Sequence, residues 1–346
     1  MSKSKVIIIM FSIIVIMGFI LLYKSKNIFI NNTTNPPTEQ PKIDSYGVTY
    51  NGWLTTNGSI LENEKGETIQ LRGVSSHGIE WFSDVITYEN LEYLKKEWNI
   101  NVFRIAMYTD SNGSGYIFSP EQTKEKVFNI IDMAIELDMY VIVDWHILND
   151  SNPQMYKEEA KTFFDEISKR YKSKPNVIYE ICNEPNGKDV TWEKDIKPYA
   201  EELIPIIRNN AQKSLIIVGT PDWCTNLKKA ADNPINIENI VYSCHFYSGT
   251  HGEGLRKKVD YCIEKNIPIF VSECGLTNEK GDGDVYFDKF KEWIKYLDSN
   301  RISWIYWSFS NKNESSAILS KDYTETIENH LTEAGKFVKN IFQNYK

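Results

Sequence analysis

Eight short apolar runs, each followed by a stretch of helical periodicity, predict an α/β fold and, within that class, a (β/α)8 TIM barrel. Two further observations agree. Residues able to do chemistry collect just after the apolar runs, where a barrel of this kind carries its site. No Gly-x-Gly-x-x-Gly follows the first run, which weakens the open doubly wound sheet as the alternative.

Composition sets the bounds. The chain has 346 residues and is 41% apolar, enough for one large barrel core. Its net charge of -8 argues against nucleic acid as a partner, because polyanion binding relies on basic patches. Nine Trp and 20 Tyr supply many flat faces, for packing or for stacking on sugar rings.

The first element in order is the uncharged run of residues 6–23, VIIIMFSIIVIMGFILLY. It is close to the length that spans a bilayer, and no small-residue cleavage site follows it. Residues 1–30 are therefore expected to be an N-terminal membrane anchor, with a cleaved signal segment as the alternative. Lysines flank both sides, so charge does not set an orientation. Residues 31–44, rich in Pro, Thr and Asn, read as a linker, and the folded domain is expected over 45–346. Between Val48 and Gln70, apolar pieces alternate with Asn-Gly and Lys-Gly turns, which predicts a small N-terminal β-hairpin cap.

The barrel strands are expected at 69–75, 101–106, 140–145, 176–182, 214–219, 239–244, 267–272 and 302–308. Helices are expected near 87–98, 120–138, 154–173, 191–212, 223–231, 253–266, 283–299 and 328–344. Pro120 and Pro198 fall in or near first helical turns, where the missing N–H costs nothing. The five cysteines, Cys182, Cys224, Cys244, Cys262 and Cys274, are odd in number and match no zinc spacing, so they read as small buried hydrophobes.

The stretch that organises the rest is NVIYEICNEP, residues 176–185: a buried strand that ends in Asn183, Glu184 and Pro185. A second apolar run, IPIFVSECG, ends at Glu273. A carboxylate at the end of a buried strand is costly unless it has partners or a task. Two of them, one to protonate a leaving oxygen and one to attack or to activate water, are what glycoside cleavage requires. His77, Arg104, His146, His245, Tyr247 and Trp307 fall near other strand ends. Arg104 could hold Glu273 ionised, Tyr247 could donate to it, and Asn183 could reach a sugar hydroxyl. Salt-bridged barrel-end residues are the structural alternative. A metal site built from His77, His146, His245 and the glutamates lacks an HxH or HExxH pattern, so no metal or other cofactor is expected.

In order and at plausible spacing, LRGVSSHGIEW (71–81), NVFRIAMYT (101–109), YVIVDWHIL (140–148), IYEICNEPNG (178–187), YSCHFYSGTH (242–251), PIFVSECG (268–275) and ISWIYWSFSNKNESSAIL (302–319) resemble glycoside hydrolase family 5, in its bacterial endo-β-1,4-glucanase branch. The resemblance implies a retaining, double-displacement mechanism with Glu184 as acid/base and Glu273 as nucleophile. It adds Arg104, His146, Asn183, His245 and Tyr247 to the catalytic group. It implies that His77, Trp81, Tyr108, Trp223, Trp307, Lys312 and Glu314 bind the sugar chain. The substrate would be a β-glucan, cellulose or mixed-linkage. A mannanase or xyloglucanase on the same barrel is the near alternative. A silent glycan-binding barrel is the distant one, since both carboxylates are present. Such an enzyme would act outside the cell, as a monomer, anchored through residues 6–23 or secreted. One position departs from the close branch: Cys274 stands where Trp usually follows the nucleophile, a small thiol where an indole would pack, which leaves the cleft shape nearby open and the carboxylate chemistry intact.

Overall fold

The computed structural model describes residues 46–345, so the anchor expected at 6–23 and the linker at 31–44 lie outside the described residues. Among the described residues no helix is long and apolar enough to cross a membrane.

Eight parallel strands close into a barrel. They are β1 Arg72–Ser76, β2 Val102–Tyr108, β3 Tyr140–His146, β4 Val177–Glu180, β5 Ile216–Val218, β6 Ile240–Tyr247, β7 Ile269–Gly275 and β8 Trp304–Phe309. Closure comes from β8 pairing with β1, Trp304 opposite Arg72 through Trp307 opposite Ser75. All eight sit within or beside the runs the sequence marks. Arg104, however, lies in the middle of β2 and not at its end.

The outer ring comprises α1 Tyr88–Trp98, α2 Pro120–Glu136, α3 Lys157–Arg170, α4 Lys197–Asn210, α5 Leu227–Asp232, α6 Glu253–Glu264, α7 Phe287–Ser299 and α8 Glu333–Gln343. Local signals start these helices. Thr87 and Thr332 accept from the backbone N–H groups of Asn90 and Gly335, and Pro120 and Pro198 occupy first turns. Several expected helices are shorter than the sequence suggests, α3 and α8 among them. The stretch at 223–231 begins instead as a left-handed turn over Asp222–Cys224, and the stretch at 283–299 is helical only from Phe287.

Alternation along each strand separates two cores. Outward residues such as Phe103, Ile105, Val141 and Tyr179 pack with Leu91, Ile131, Phe164 and Leu203 of the helices. Inward residues near the strand starts, including Val102, Ile142, Ile178, Ile217, Val241, Phe270 and Ile305, form a second apolar cluster. The cap joins that second cluster. It is a three-stranded antiparallel sheet, Thr55–Asn57, Ile60–Glu62 and Thr68–Ile69, one strand more than a hairpin. Leu54, Leu61 and Ile69 from the cap segment bury against the barrel residues and plug its lower end. The upper end is left to polar side chains.

Candidate active site

Arg104 is the centre of the upper interior and is 0% exposed. Its Nε donates to Glu180 Oε2 at 2.7 Å, and its Nη2 donates to Asn183 Oδ1 at 2.7 Å and lies 3.0 Å from Asp144 Oδ2. Its Nη1 reaches Glu273 Oε2 and Ser75 Oγ, at 3.2 and 3.3 Å. One guanidinium thus faces three carboxyl groups. A fourth, Glu184, has no contact with it. Burying four carboxyls around one cation means that they cannot all ionise.

Of the two carboxyls that reach the open cleft, Glu273 is the better equipped to be charged. Besides Arg104 it accepts from Tyr247 Oη at 2.6 Å. Burial pushes its carboxyl above the ordinary range, with Glu184 adding to the rise; His245 and Arg104 pull the other way. Glu184 is pushed by burial up to about 8, so it keeps its proton at neutral pH. Burial also lifts Asp144 to about 7, against the pull of Arg104.

The hydrogen-bond directions around Glu184 give the same answer. Both oxygens of Glu180 accept, one from Arg104 and one from Ser272 Oγ at 2.6 Å. With its hydrogen on Glu180, the Ser272 hydroxyl accepts from Ser243 Oγ, 2.6 Å away, and from His245 Nε2, 3.0 Å away. Burial pulls His245 down to about 4, so the ring is neutral and its Nδ1 is a bare acceptor. Glu184 Oε1 stands 2.8 Å from that Nδ1 and can only be the donor. The chain from Arg104 to Glu184 therefore holds a proton on Glu184. On the other flank His146 Nδ1 lies 2.6 Å from Asp144 Oδ2, and burial keeps this imidazole neutral too.

Local structure explains how neighbouring residues reach these places. Ser272 and Glu273 are adjacent, yet both point inward. The pairing of β7 with β6 shifts register between Phe270 and Glu273, a β-bulge that resets the alternation. The next side chain, Cys274, is consequently turned outward into the strand–helix core, where Sγ donates to Ile305 O at 3.3 Å. The question the sequence leaves open at Cys274 is thus answered for the thiol itself, which does not line the cleft. All five cysteines are buried and unpaired.

Above this floor is a cavity of about 470 Å³. Of the expected catalytic group, His146, Glu184, His245, Tyr247 and Glu273 line it, while Arg104 and Asn183 lie beneath. Asn183 does not present a free amide to a sugar as expected; its Nδ2 donates to Ile147 O at 3.1 Å and faces His146 Nε2. His77, Tyr108, Trp223, Trp307, Lys312 and Glu314 line the walls. Trp81 is at the edge, 42% exposed, with its ring 5.1 Å from that of Tyr108. Lys312 bridges Glu314 at 2.6 Å and His77 Nε2 at 3.0 Å.

Sequence reasoning missed two sets of residues. Asp144 and Glu180 read as parts of apolar strands, although each is two or four residues before a residue already singled out, and so on the same strand face or close to it. Leu148, Asp222, Thr225, His251, Glu279 and Lys280 line the cavity from loops. Nothing in their local sequence marks them beyond their position after a strand.

Glu184, His245 and Glu273 each bring a donor atom within 4.8 Å of the others. An oxygen of each carboxyl thus approaches the other closely, in keeping with the short spacing of retaining enzymes and not with the ~6.5–9.5 Å gap of inverting ones. A closed barrel with two such carboxyls at the C-terminal mouth, in a groove walled by aromatics, defines a glycoside hydrolase. A family model described as Cellulase (glycosyl hydrolase family 5) matches residues 62–313. The Endoglucanase of Clostridium saccharobutylicum is 45% identical over 305 residues, 87% of this chain and 67% of that protein. Endoglucanase A of Evansella cellulosilytica is also 45% identical over 305 residues, 84% of this chain and 62% of its own length. The chain thus spans about two thirds of the length of these relatives. Among solved structures, Cellulase Cel5C_n superposes with a TM-score of 0.81 at 41% identity, covering 86% of this chain and 93% of that one. The catalytic domain of Thermobifida fusca endoglucanase Cel5A in complex with cellotetraose gives 0.80 at 35% identity, covering 86% and 99%. The chain belongs to glycosyl hydrolase family 5.

Proposed function

We propose that the chain is an endo-acting, retaining β-1,4-glucanase with Glu273 as nucleophile and Glu184 as acid/base. The observation that carries this reading is the asymmetry of two carboxyls held close together: Glu273 is tied to Arg104 and Tyr247, and Glu184 is kept protonated through His245. In the first displacement a Glu273 oxygen attacks the anomeric carbon while Glu184 gives its proton to the departing glycosidic oxygen. The products are a glycosyl ester on Glu273 and a free chain end. In the second, Glu184, now a carboxylate, takes a proton from water as that water attacks the same carbon and releases Glu273. Each proton in the cycle has a protein group to carry it.

The polarity of the cleft follows from these roles. The leaving chain lies on the Glu184 side, over Trp223, and the retained sugars lie toward Trp307, Lys312 and Glu314. Indole faces pack on pyranose C–H faces, and the Lys312–Glu314–His77 group is placed to bond hydroxyls; a sugar lacking those hydroxyls would leave the group unpaired. The relatives named endoglucanases support a β-glucan substrate. The catalytic groups all come from one chain, so the site is complete within it, and the monomer expected from the sequence is kept as part of this reading. The uncharged run at 6–23 and the size of a polymeric substrate support a site of action outside the cell, with that run as anchor or as a removed signal.

The test is viscosity and product pattern on soluble substituted cellulose, mixed-linkage glucan and mannan, with Glu273→Ala as control. A rapid viscosity fall on the glucans that disappears in the variant is expected. Cleavage of mannan alone would overturn the substrate, and an unaffected variant would overturn the nucleophile.

A further inference from the structure

The loop after β5 has an unusual backbone. Asp222, Trp223 and Cys224 are three consecutive non-glycine residues in the left-handed region, at φ 55°, 53° and 58°. L side chains disfavour that conformation at every residue, so it persists only where the surroundings over-determine it. Trp223 at its centre is 50% exposed, so little packing on the ring itself fixes its direction. The ties are in the backbone and in one thiol. Trp223 N–H donates to Pro185 O at 3.2 Å, and Cys224 N–H donates to Thr220 O at 3.1 Å. The fully buried Cys224 Sγ donates to Asn183 O at 3.0 Å and accepts from Thr220 N–H at 3.3 Å. Burial raises this thiol well above its usual range, so it carries its proton and can donate. At Gly219 the two loops meet so closely that a Cβ would come within 2.4 Å of Cys182 O and 2.9 Å of Asn183 O.

We propose that Cys224 is a positioning residue, the thiol that joins the turn carrying Trp223 to the Asn183–Pro185 segment carrying Glu184, so that the leaving sugar is stacked and protonated by groups in fixed register. The inference rests on the reading of Glu184 as the acid. It goes beyond that reading in assigning to a buried cysteine, which touches no substrate, control of the leaving-group half of the cleft. The thiol is used as donor and acceptor at once. Serine offers both functions, whereas alanine offers neither.

The experiment compares the parent, Cys224→Ala and Cys224→Ser on cellotetraose and on 2,4-dinitrophenyl β-cellobioside. The aryl leaving group departs without a proton and brings no sugar ring to Trp223. Its kcat/KM therefore reports the nucleophile's half of the site and an intact fold. For Cys224→Ala we expect kcat/KM on cellotetraose to fall about tenfold, with KM raised and kcat lowered together, while the aryl substrate stays within about twofold. Cys224→Ser should restore cellotetraose cleavage to within about twofold of the parent. Equal loss on both substrates, no loss on either, or failure of serine to rescue would overturn the proposal. A parent that cleaves the aryl glycoside but leaves cellotetraose intact would overturn the glucanase reading, and this proposal with it.

Discussion

The lower and upper interiors of the barrel are lined by alternate residues of the same eight strands, yet they are built in opposite ways. Along β2 the inward sequence is Val102, Arg104, Ala106, Tyr108, and along β3 it is Tyr140, Ile142, Asp144, His146. The first layer is dry and closes against the cap. Two residues further along, a fully buried guanidinium holds three carboxyl groups, of which only Glu273 reaches the cavity. The lower layer can lose a side chain and suffer only a cavity. The upper layer cannot lose Arg104, or an ionised carboxylate bound to it, without leaving a buried charge unpaired, whereas the neutral Glu184 can be replaced without that cost. The rigid apolar floor thus makes the costly polar layer tolerable, and the polar layer sets the protonation states the chemistry uses.

The contrast can be tested at three strengths. Replacing Glu184 by Gln should lower kcat/KM on glucan by on the order of 10³-fold, within the usual range for a lost general acid. It should cost little on a dinitrophenyl glycoside and leave the thermal midpoint nearly unchanged. A parallel loss of stability would erase the division between the layers. In the parent, glucan cleavage should fall as pH rises through about 8, where Glu184 gives up its proton. The limb should vanish with the dinitrophenyl substrate when kcat/KM is plotted against pH.

In the lower layer, Ile217→Ala should cost about 2–5 kcal/mol in denaturant unfolding. Its kcat and KM should match the parent's at temperatures where it is folded. A changed pH profile there would mean that the layers are coupled more tightly than their geometry implies.

The mildest test falls on Glu80, on the short helix Ile79–Phe82 that also carries Trp81. Burial pushes Glu80 up to about 8. A carboxyl raised on folding contributes stability in full below its unfolded value, and that contribution is lost as pH rises toward the folded one. The parent should therefore lose stability between mildly acidic pH and about 8. Glu80→Gln should flatten that slope by a small amount in melting curves recorded across the range. An unchanged slope would assign the loss to the other carboxyls that burial raises, Asp144, Glu180, Glu184 and Glu273 among them.

The barrel was legible because each strand is an apolar run bounded by polar turns, and the stretches between carry amphipathic helical periodicity, with start signals at Thr87, Pro120, Pro198 and Thr332. The two glutamates at the mouth were legible because a carboxylate at the end of such a run has few structural reasons to be there. Other features were hidden for definite reasons. Asp144 and Glu180 sit inside runs whose hydrophobicity masks them. Period-two reading fails at β7, where the bulge lets Ser272 and Glu273 face the same way and turns Cys274 aside. Pro221–Cys224 contains no glycine, so its left-handed turn has no written signature. The loop residues around Glu279 reach the cleft only because the chain folds back over it.

The five buried thiols have a consequence for handling the protein. None is paired and none is open to solvent, so alkylating reagents and shifts between reducing and oxidising buffers meet no target in the native state. Modification requires the chain to open, and the rate of thiol labelling becomes a clock for unfolding. Cys244 and Cys262, deep between strand and helix, time the opening of the outer shell. Cys224 would time the loosening of the mouth, without any probe being introduced.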